Sequence, residues 1–470
     1  MKQVQVAIIG AGTAGLSARK EVATKTDSYV VIDDGPLGTT CARVGCMPSK
    51  VLIQVANDFA RRKKYETVGI HGADHLTVDR KKVMQHVRSL RDRFVRSVMG
   101  GMDNWQDKLI RGRAVFVDPH TLEVNGETIK AEKIIIATGS RPIVPGPWQE
   151  YRSHLIDTDQ FFEMETLPEK MAVIGLGVIG IEIGQALHNL GVDMVGITMG
   201  KAIGGLTDPE IQNYVADRFS KQMALHFNGA EPVGISANGK LQVKADGRVY
   251  EVDKALMAVG RKPNTDGLGL EKLNLTLDKR GQPEVDRNTM KLKEMPHIFL
   301  PGDVNADRPL LHEAADEGLI AGYNAVFDEQ CFKRRTMLAI TFSEPNIATV
   351  GKRYAELKQE NVDFVTGQVS FEGQGRSIVK LQEQGLLHVY ASKPDGKILG
   401  AEIHAPDGEH LAHLLAWAIS LNLTVKESLR LPFYHPVIEE GLRTALRHAA
   451  VQLEPGRMAE LFRCQDPPIR

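Results

Sequence analysis

Apolar and polar residues in the first part of the chain follow a strand–turn–helix–strand pattern. An apolar run at residues 4–9 leads into a glycine-rich turn and then into helix-forming residues, and a second apolar run at residues 29–32 ends at Asp33. Short apolar runs bounded by glycine are typical of buried strands, so this segment is predicted to form a β-α-β unit. The glycines of the turn are Gly10, Gly12 and Gly15.

The same pattern returns 165 residues further along the chain. Residues 171–174 form an apolar run, three glycines follow at the same spacing, and helix-forming residues come next. A turn of this kind lets the backbone approach a pyrophosphate and places the phosphates at the positive end of a helix. Two such turns, each between a predicted strand and a predicted helix, indicate two dinucleotide-binding folds. The second set of glycines is Gly175, Gly177 and Gly180.

The later parts of the two copies match at a shorter offset. The predicted hairpin turn Asn125-Gly126 corresponds to Asp246-Gly247, and Gly139, which follows a predicted strand, corresponds to Gly260. The offset here is 121 residues rather than 165, so the first copy carries 44 additional residues after Asp33. This insertion includes a cysteine pair, which indicates that chemistry was added to the first fold only.

The pattern changes after residue 336. Two strand-like runs, residues 388–391 and 398–403, flank a Pro-Asp-Gly turn and are followed by amphipathic helices. The chain is therefore predicted to be an α/β protein with two Rossmann-like domains and a C-terminal α+β domain. The predicted boundaries are residues 1–147 with 261–335, residues 148–260, and residues 336–470.

Composition and charge remove several classes of function. The 470 residues are 42% apolar and 25% charged with a formal net charge of −1, as in ordinary soluble globular proteins. This charge favours neither a nucleic-acid nor a membrane partner, and no apolar run reaches the ~20 residues of a membrane helix. The N-terminus does not resemble a cleaved signal sequence, so we expect a cytoplasmic protein.

Two of the four cysteines, Cys41 and Cys46, lie five residues apart. Four cysteines in a chain of this length cannot form a disulphide scaffold, so the pair indicates metal binding or redox chemistry. Metal binding is the weaker interpretation because no second cysteine and histidine cluster completes a set of four ligands, and we expect no metal. Cys331 and Cys464 have no partner motif and are interpreted as ordinary cysteines.

Residues 40–50, with the sequence TCARVGCMPSK, resemble the pyridine nucleotide-disulphide oxidoreductases, most closely their dihydrolipoamide dehydrogenase branch. The resemblance covers nearly the whole chain, because further family motifs follow in order and at similar spacing. It implies an FAD domain, an NAD(P) domain and a C-terminal dimerisation domain. The further motifs are Ala137-Thr138-Gly139, Gly302-Asp303, Leu311-His312-Glu313-Ala314, Ser343-Glu344-Pro345, and His435-Pro436 with Glu440.

The resemblance also implies which residues bind the two cofactors. Asp33 would bind the adenosine ribose of FAD and Asp303 its ribityl chain. The expected FAD residues are Gly10, Gly12, Gly15, Asp33, Lys50, Thr138, Gly139, Gly302, Asp303 and Ala314. The expected NAD(P) residues are Gly175, Gly177, Gly180, Glu182, Thr198 and Gly260.

By the same resemblance, Cys41 and Cys46 form a redox disulphide. Cys46 would face the flavin and form the charge-transfer contact, while Cys41 would exchange with substrate. Lys50 would lie near the flavin and pair with Glu182, where its charge would stabilise the negative charge of the reduced ring.

The resemblance assigns His435 as the acid/base, oriented by Glu440 and acting on the cysteine pair of the other subunit of a homodimer. Thiol–disulphide exchange needs a thiolate, and an imidazole that titrates near neutral pH lowers the cost of making one. A carboxylate on the other ring nitrogen fixes the tautomer. Trp417, His448 and the predicted helix at residues 411–421 are interpreted as dimer or core surface.

Several substrates are compatible with these motifs. The partner would be a small-molecule disulphide or dithiol, or a lipoyl-carrying protein. Mercuric reductases and large thioredoxin reductases are expected to carry a second cysteine pair near the C-terminus, where Cys464 stands alone, and a transhydrogenase would lack an intact pair. An NADPH-dependent reductase of glutathione or another disulphide, and a flavoprotein redox sensor without turnover, remain alternatives.

Three positions depart from the dihydrolipoamide dehydrogenase branch. Thr40 with Ala42-Arg43, and Phe433-Tyr434, alter the surroundings of the first cysteine and of the His-Pro pair. Thr198 corresponds to Asp33 in the first copy and removes an acid that binds the ribose hydroxyls of NAD and repels the 2′-phosphate of NADP. We therefore predict weakened discrimination, with NAD(H) modestly preferred.

Overall fold

The computed structural model describes residues 1–454, which form 22 strands and 13 α-helices. The predicted fold class is confirmed, because a mainly parallel sheet and a fully parallel sheet, each with helices, precede an antiparallel sheet with helices. No helix of this described part is long and apolar enough to cross a membrane. Short 3-10 turns lie at Arg62–Lys64, Glu66–Val68, Ala73–His75, Asp103–Lys108, Gly146–His154, Ile203–Gly205, Leu270–Leu273 and Asp303–Asn305.

The N-terminal part of the chain builds most of the first sheet. Its elements are β1 (Lys2–Ile9), α1 (Thr13–Val22), β2 (Tyr29–Asp33), α2 (Thr40–Val44), α3 (Cys46–Arg61), α4 (Arg80–Gly100), β3 (Leu109–Arg111), β4 (Ala114–Asp118), β5 (Thr121–Val124), β6 (Glu127–Ile136) and β7 (Ser140–Pro142). Four strands are parallel in the order β3-β2-β1-β6, and β5 and β4 continue from β6 as antiparallel strands.

The second sheet is parallel throughout, in the order β11-β10-β9-β15-β8. A separate antiparallel sheet, β12-β13-β14, lies between β11 and β15 in the chain. The elements are β8 (Leu155–Ile156), α5 (Thr158–Phe161), β9 (Lys170–Ile174), α6 (Val178–Asn189), β10 (Asp193–Ile197), α7 (Pro209–Gln222), β11 (Ala224–His226), β12 (Glu231–Ile235), β13 (Leu241–Ala245), β14 (Arg248–Val252) and β15 (Lys254–Met257).

The chain then returns to the first sheet through β16 (Arg261–Pro263), β17 (Ile298–Phe299) and α8 (Leu311–Val326). Strand β16 pairs antiparallel with β7, and β17 pairs parallel with β6. Helix α8 packs closely on α1 through glycine, because a Cβ at Gly318 would lie 2.3 Å from the carbonyl oxygen of Ala14.

The C-terminal part forms one five-stranded antiparallel sheet in the order β18-β19-β22-β21-β20. Helices α11 and α13 pack on it and share its buried apolar core. The elements are β18 (Leu338–Thr341), β19 (Asn346–Gly351), α9 (Tyr354–Gln359), β20 (Phe364–Ser370), α10 (Gly375–Lys380), β21 (Leu386–Ser392), β22 (Ile398–Ala405), α11 (Gly408–Ser420), α12 (Val425–Leu429) and α13 (Glu439–Leu453).

The internal repeat is present in the strand registers. Ile9 pairs with Ile32 in the first sheet, and Ile174 pairs with Ile197 in the second, each residue shifted by 165. The hairpin turns predicted from the shorter offset are also present, with positive φ at both residues of Asn125-Gly126 and of Asp246-Gly247. The two folds therefore superimpose residue by residue at their glycine turns.

The inserted residues of the first fold make helices α2, α3 and α4. Leu52 and Ile53 of α3 and Met84 of α4 are buried in the same apolar core as Ile183 and Leu187 of α6. The insertion therefore packs against the second fold, and the cysteine pair, at the junction of α2 and α3, lies where the two folds meet.

Candidate active site

The two cysteines lie where α2 ends and α3 begins. Cys41 is the second residue of α2, whose N-terminus is capped by the Thr39 side chain, and Cys46 is the first residue of α3. Gly45 separates the helices, and a Cβ there would lie only 3.2 Å from the Cα of Cys41. Cys46 therefore sits at the positive end of a helix, which favours a thiolate.

Cys41 and Cys46 are both free thiols in the structure. The hydrogen bond between the two side chains, together with burial, raises the pKa of Cys41. The same hydrogen bond lowers the pKa of Cys46 from 9.0 to about 7; burial opposes this shift and the charge of Lys50 adds to it. The reduced pair therefore keeps its shared proton on Cys41 and its negative charge on Cys46.

Lys50, one turn further along α3, connects the cysteine helix to the other two sheets. Its Nζ lies 2.9 and 2.8 Å from the two carboxylate oxygens of Glu182 on α6. Glu182 is 4% exposed and also accepts a hydrogen bond from Phe342 N at 2.8 Å. The Phe342 ring lies 4.6 Å from the ammonium group. The ion pair expected from the resemblance is thus present, and it fixes a positive charge beside Cys46.

His435 lies in the C-terminal part of the chain, four residues before the start of α13. Its Nδ1 is 2.9 Å from Glu440 Oε2, and the ring is 79% exposed. Glu440 also accepts a hydrogen bond from Arg443 at 2.7 Å. Burial raises the pKa of Glu440, but the hydrogen bonds from His435 and Val437 N outweigh it, so the net shift is downward. Within residues 1–454 of one chain, no hydrogen bond or ion pair joins His435 to either cysteine.

The first glycine turn has the form of a phosphate cradle. Gly10 has φ of +107°, and a Cβ there would lie 2.3 Å from Ala137 O. A Cβ on Gly15 would lie 1.9 Å from Gly10 O, so both glycines are required by the fold itself. Gly12 has no neighbouring atom within 4 Å of its Cβ position. Its lack of a side chain is not explained by protein packing, and it fits the approach of a pyrophosphate.

The remaining predicted FAD residues surround this turn. Asp33 Oδ2 accepts a hydrogen bond from Ala11 N at 2.7 Å, which holds the carboxylate at the turn. Asp303 accepts one from Ser140 Oγ at 2.8 Å. Thr138 Oγ1 donates to Asn264 O, and Gly302 N donates to the Glu317 carboxylate. Gly139 has no atom near its Cβ position, and Ala314 packs with Ala14 and Ala137. These residues fit FAD: an open glycine cradle carries one carboxylate, Asp33, at its turn, and a second carboxylate, Asp303, is held by Ser140.

The second glycine turn repeats the geometry of the first. Cβ atoms at Gly175 and Gly180 would lie 2.4 Å from Ala258 O and 1.8 Å from Gly175 O, whereas Gly177 has no neighbour within 4 Å. Gly260 has φ of +119°. Thr198 directly follows β10 and donates its backbone N–H to His226 O at 2.9 Å. The second fold thus offers a second phosphate cradle without an acid at the end of its second strand.

The other cysteines do not enlarge the site. Cys331 is exposed and lies in the segment between α8 and β18. Cys464 lies outside the described residues. In the part of the chain that the structure describes, no group of three or more histidine, cysteine or acidic side chains could hold a metal ion.

Sequence reasoning did not identify three residues that organise the site. Phe342 anchors Glu182, and its position directly before the Ser343-Glu344-Pro345 motif was the available signal. Ser140 orients Asp303 and directly follows Gly139. Arg334 binds the buried Glu313 and Glu317, each at 2.6 Å, and no local pattern indicates this cluster.

The comparisons with known proteins agree with this geometry. The profile of the family described as pyridine nucleotide-disulphide oxidoreductase matches residues 4–318, and that of its dimerisation domain matches residues 337–446. A dihydrolipoyl dehydrogenase of Bacillus subtilis is 30% identical over 92% of this chain and 93% of its own length. A mercuric reductase of Staphylococcus aureus is 28% identical over 93% of this chain and 81% of its own.

Solved structures share the fold. The HOCl-induced flavoprotein disulfide reductase RclA of Escherichia coli, solved as a Cu(II) complex, superimposes with a TM-score of 0.81. The similarity covers 95% of this chain and 99% of that one, at 22% identity. LpdA of Mycobacterium tuberculosis gives a TM-score of 0.80 at 23% identity, with the same coverage.

Proposed function

The chain belongs to the pyridine nucleotide-disulphide oxidoreductases, whose members bind FAD and NAD(P), and we propose that it oxidises a dihydrolipoyl-type dithiol with NAD(P)⁺ through Cys41 and Cys46. The observation that carries the proposal is the polarity of the reduced pair. Cys46, with a pKa of about 7, lies at the start of α3, and Cys41 holds the proton. A pair with one low-pKa member has a good leaving group when its disulphide is attacked.

The proposed reaction begins with a substrate thiolate attacking Cys41 Sγ. The Cys41–Cys46 bond breaks, a substrate–Cys41 disulphide forms, and the electron pair leaves on Cys46 as a thiolate. The second substrate thiol then attacks the substrate sulfur of the mixed disulphide, and Cys41 leaves and takes up the proton of that thiol. The substrate loses two electrons and two protons, and the cysteine pair gains both electrons. Lys50, fixed by Glu182, stabilises the charge left on Cys46.

The substrate thiol must lose its proton before it attacks, and His435 is the proposed acceptor. Its Nδ1 is held by Glu440, which leaves Nε2 as the nitrogen that exchanges the proton. Because the ring is 79% exposed and forms no hydrogen bond with the cysteines of its own described chain, we assign this role to His435 of the partner subunit.

Bound FAD would supply hydride exchange with the nicotinamide nucleotide and two-electron exchange with the cysteines. The proposed FAD ligands are those of the first glycine turn, with Asp33 held by Ala11 N and Asp303 held by Ser140. The second glycine turn, at Gly175, Gly177 and Gly180, is assigned to NAD(P) because its open cradle repeats the first.

We propose that the protein acts as a homodimer, in keeping with the dimerisation-domain match at residues 337–446. Two exposed aromatic side chains of the C-terminal part support this: Trp417 of α11 is 64% exposed and Tyr434, next to His435, is 81% exposed. A cytoplasmic location belongs to the same proposal, because thiol chemistry of this kind needs a reducing compartment.

Steady-state turnover tests the proposal. Purified protein should oxidise dihydrolipoamide with NAD⁺ and reduce lipoamide with NADH, and Cys41→Ser and Cys46→Ser should each abolish both reactions. The matched control is Cys331→Ser, which removes an exposed cysteine outside the pair and should keep wild-type rates.

Wild-type turnover by either pair variant would contradict the role of the cysteines. A preference for glutathione disulphide with NADPH would contradict the dihydrolipoyl assignment, and FAD binding without turnover of any disulphide would favour a redox sensor.

A further inference from the structure

We propose that the second dinucleotide fold accepts the 2′-phosphate of NADP(H), using Thr198 and Lys201, so that the enzyme uses NADP(H) alongside NAD(H). This inference rests on the proposed function, because it concerns the nucleotide that the second fold would bind. It follows from comparing two copies of one fold within the same chain.

The strand registers establish which residues of the two folds are equivalent. Gly10 N donates to Ile32 O at 2.8 Å, and Gly175 N donates to Ile197 O at 2.7 Å. The next residue after each acceptor is therefore in the same place relative to its glycine turn. In the first fold that residue is Asp33, and in the second it is Thr198.

The first fold shows what an acid does at this place. Asp33 Oδ2 accepts from Ala11 N at 2.7 Å, inside the glycine turn, and Oδ1 accepts from Gly35 N at 2.9 Å. The carboxylate therefore sits at the end of the cradle, where it can accept hydrogen bonds from the ribose hydroxyls of a dinucleotide. A phosphate on the 2′ oxygen would meet its negative charge.

The second fold lacks this charge. Leu176 N is the equivalent of Ala11 N, and among residues 1–454 no protein acceptor binds it. Thr198 is neutral and half-buried, with its backbone engaged on both sides: its N–H donates to His226 O, and its carbonyl accepts from Gly229 N. A 2′-phosphate at this place meets a hydroxyl donor instead of a carboxylate.

A cation lies three residues further on. Lys201 is exposed, its Nζ is held only by the neutral Asn213 Oδ1 at 3.0 Å, and none of the described carboxylates forms an ion pair with it. Acids on neighbouring elements have other partners. Asp208 Oδ2 lies 2.8 Å from His388 Nδ1, and Asp246 Oδ2 lies 2.8 Å from His226 Nδ1.

The contact between Lys201 and the 2′-phosphate should add little affinity for NADP(H), because the lysine ammonium acts as a point charge. A lysine on a flexible stem binds phosphate without the bidentate geometry of arginine, and an exposed pair is screened by water and salt. We therefore expect both nucleotides to be used, with NAD(H) modestly preferred.

Calorimetry of the FAD-saturated protein with 5′-AMP and 2′,5′-ADP measures the effect of the 2′-phosphate directly, without turnover. The wild type should bind the two ligands within about tenfold of each other. Lys201→Gln should weaken 2′,5′-ADP by about threefold to tenfold and leave 5′-AMP unchanged, as for loss of one charge-assisted contact. Lys221→Gln is the matched control, because Lys221 is an exposed lysine of α7 that pairs with Asp217.

Thr198→Glu restores the acid and should shift the ratio of the two affinities toward 5′-AMP by about 10- to 100-fold. The ratio of kcat/KM for NADH and NADPH should move in the same direction. Exclusion of 2′,5′-ADP by the wild type with 5′-AMP still bound would overturn this inference and leave the proposed function standing. Equal effects of Lys201→Gln and Lys221→Gln would also overturn it. Binding of neither ligand would contradict both proposals.

Discussion

The unequal pKa values of Cys41 and Cys46 lead to a quantitative prediction for the Cys41→Ala variant. The hydrogen bond from Cys41 is the largest influence on Cys46, and it brings the pKa of Cys46 from 9.0 to about 7. Alanine removes the donor but leaves burial, which acts in the opposite direction, so the pKa of Cys46 should rise toward its ordinary value. Cys41→Ser is the matched control, because its hydroxyl keeps a donor in the same place.

The size of the effect follows from the two pKa values. At pH 7, a thiol of pKa about 7 is about half thiolate, and one of pKa 9.0 is about 1% thiolate. The thiolate fraction therefore falls about 50-fold. Thiolate nucleophilicity rises with basicity (Brønsted slope ~0.4–0.5), which makes each remaining thiolate about eightfold more reactive. The net alkylation rate of Cys46 at pH 7 should fall about sixfold.

At high pH the order of the two alkylation rates reverses, and Cys41→Ala becomes the faster variant, which makes the experiment specific. The thiolate fraction rises as pH rises through the pKa, so the alkylation rate of the Cys41→Ser protein should have its midpoint near pH 7. Cys41→Ala should plateau above pH 9, at a rate about eightfold higher than that of Cys41→Ser. The assay is the iodoacetamide alkylation rate of the Cys46 peptide in anaerobically reduced protein, followed by mass spectrometry. Identical midpoints in the two variants would refute the hydrogen-bond argument.

Two further predictions concern the cofactor cradle and the shared site. Gly10→Ala should destabilise the fold by about 2 kcal/mol or more, because its Cβ would meet Ala137 O at 2.3 Å. Gly12→Ala should keep the melting temperature of the apoprotein and lose FAD affinity, because its Cβ position is open. Equal melting temperatures of the Gly10→Ala and wild-type apoproteins would contradict the first expectation, and unchanged FAD affinity of Gly12→Ala would contradict the second. Mixing inactive Cys46→Ser and His435→Ala chains by unfolding and refolding should restore one intact site per heterodimer, and a folded mixture without lipoamide reductase activity would contradict a shared site.

The sequence was sufficient wherever the determining contacts are local. The glycine turns, the positive-φ hairpins and the strands beside them depend on residues close in sequence, so the repeat predicted both folds and the equivalence of Asp33 with Thr198. The place of the cysteines within an insertion was predicted for the same reason. The confirmed fold class therefore rests on patterns that a single chain displays.

Contacts between distant parts of the chain were not predictable from local patterns. The Asp246-Gly247 turn between β13 and β14 was predicted, but the third strand of this sheet, β12 (Glu231–Ile235), has little apolar alternation and was not. The approach of Phe342 to Glu182 depends on how the third sheet packs on the second. The burial of Glu402, which accepts hydrogen bonds from Thr207 N and Tyr354 N, likewise joins two sheets that have no sequence pattern in common.

The central claim is that electrons from a nicotinamide nucleotide reach the Cys41–Cys46 pair. Differential alkylation measures this directly: oxidised protein is labelled with one reagent, reduced anaerobically with NADH, labelled with a second, and digested for mass spectrometry. We expect Cys41 and Cys46 to escape the first label because they form a disulphide, and to take the second label after reduction with NADH. The exposed Cys331 should carry the first label throughout. If neither cysteine of the pair gains label after reduction by NADH or NADPH, the proposed function is wrong.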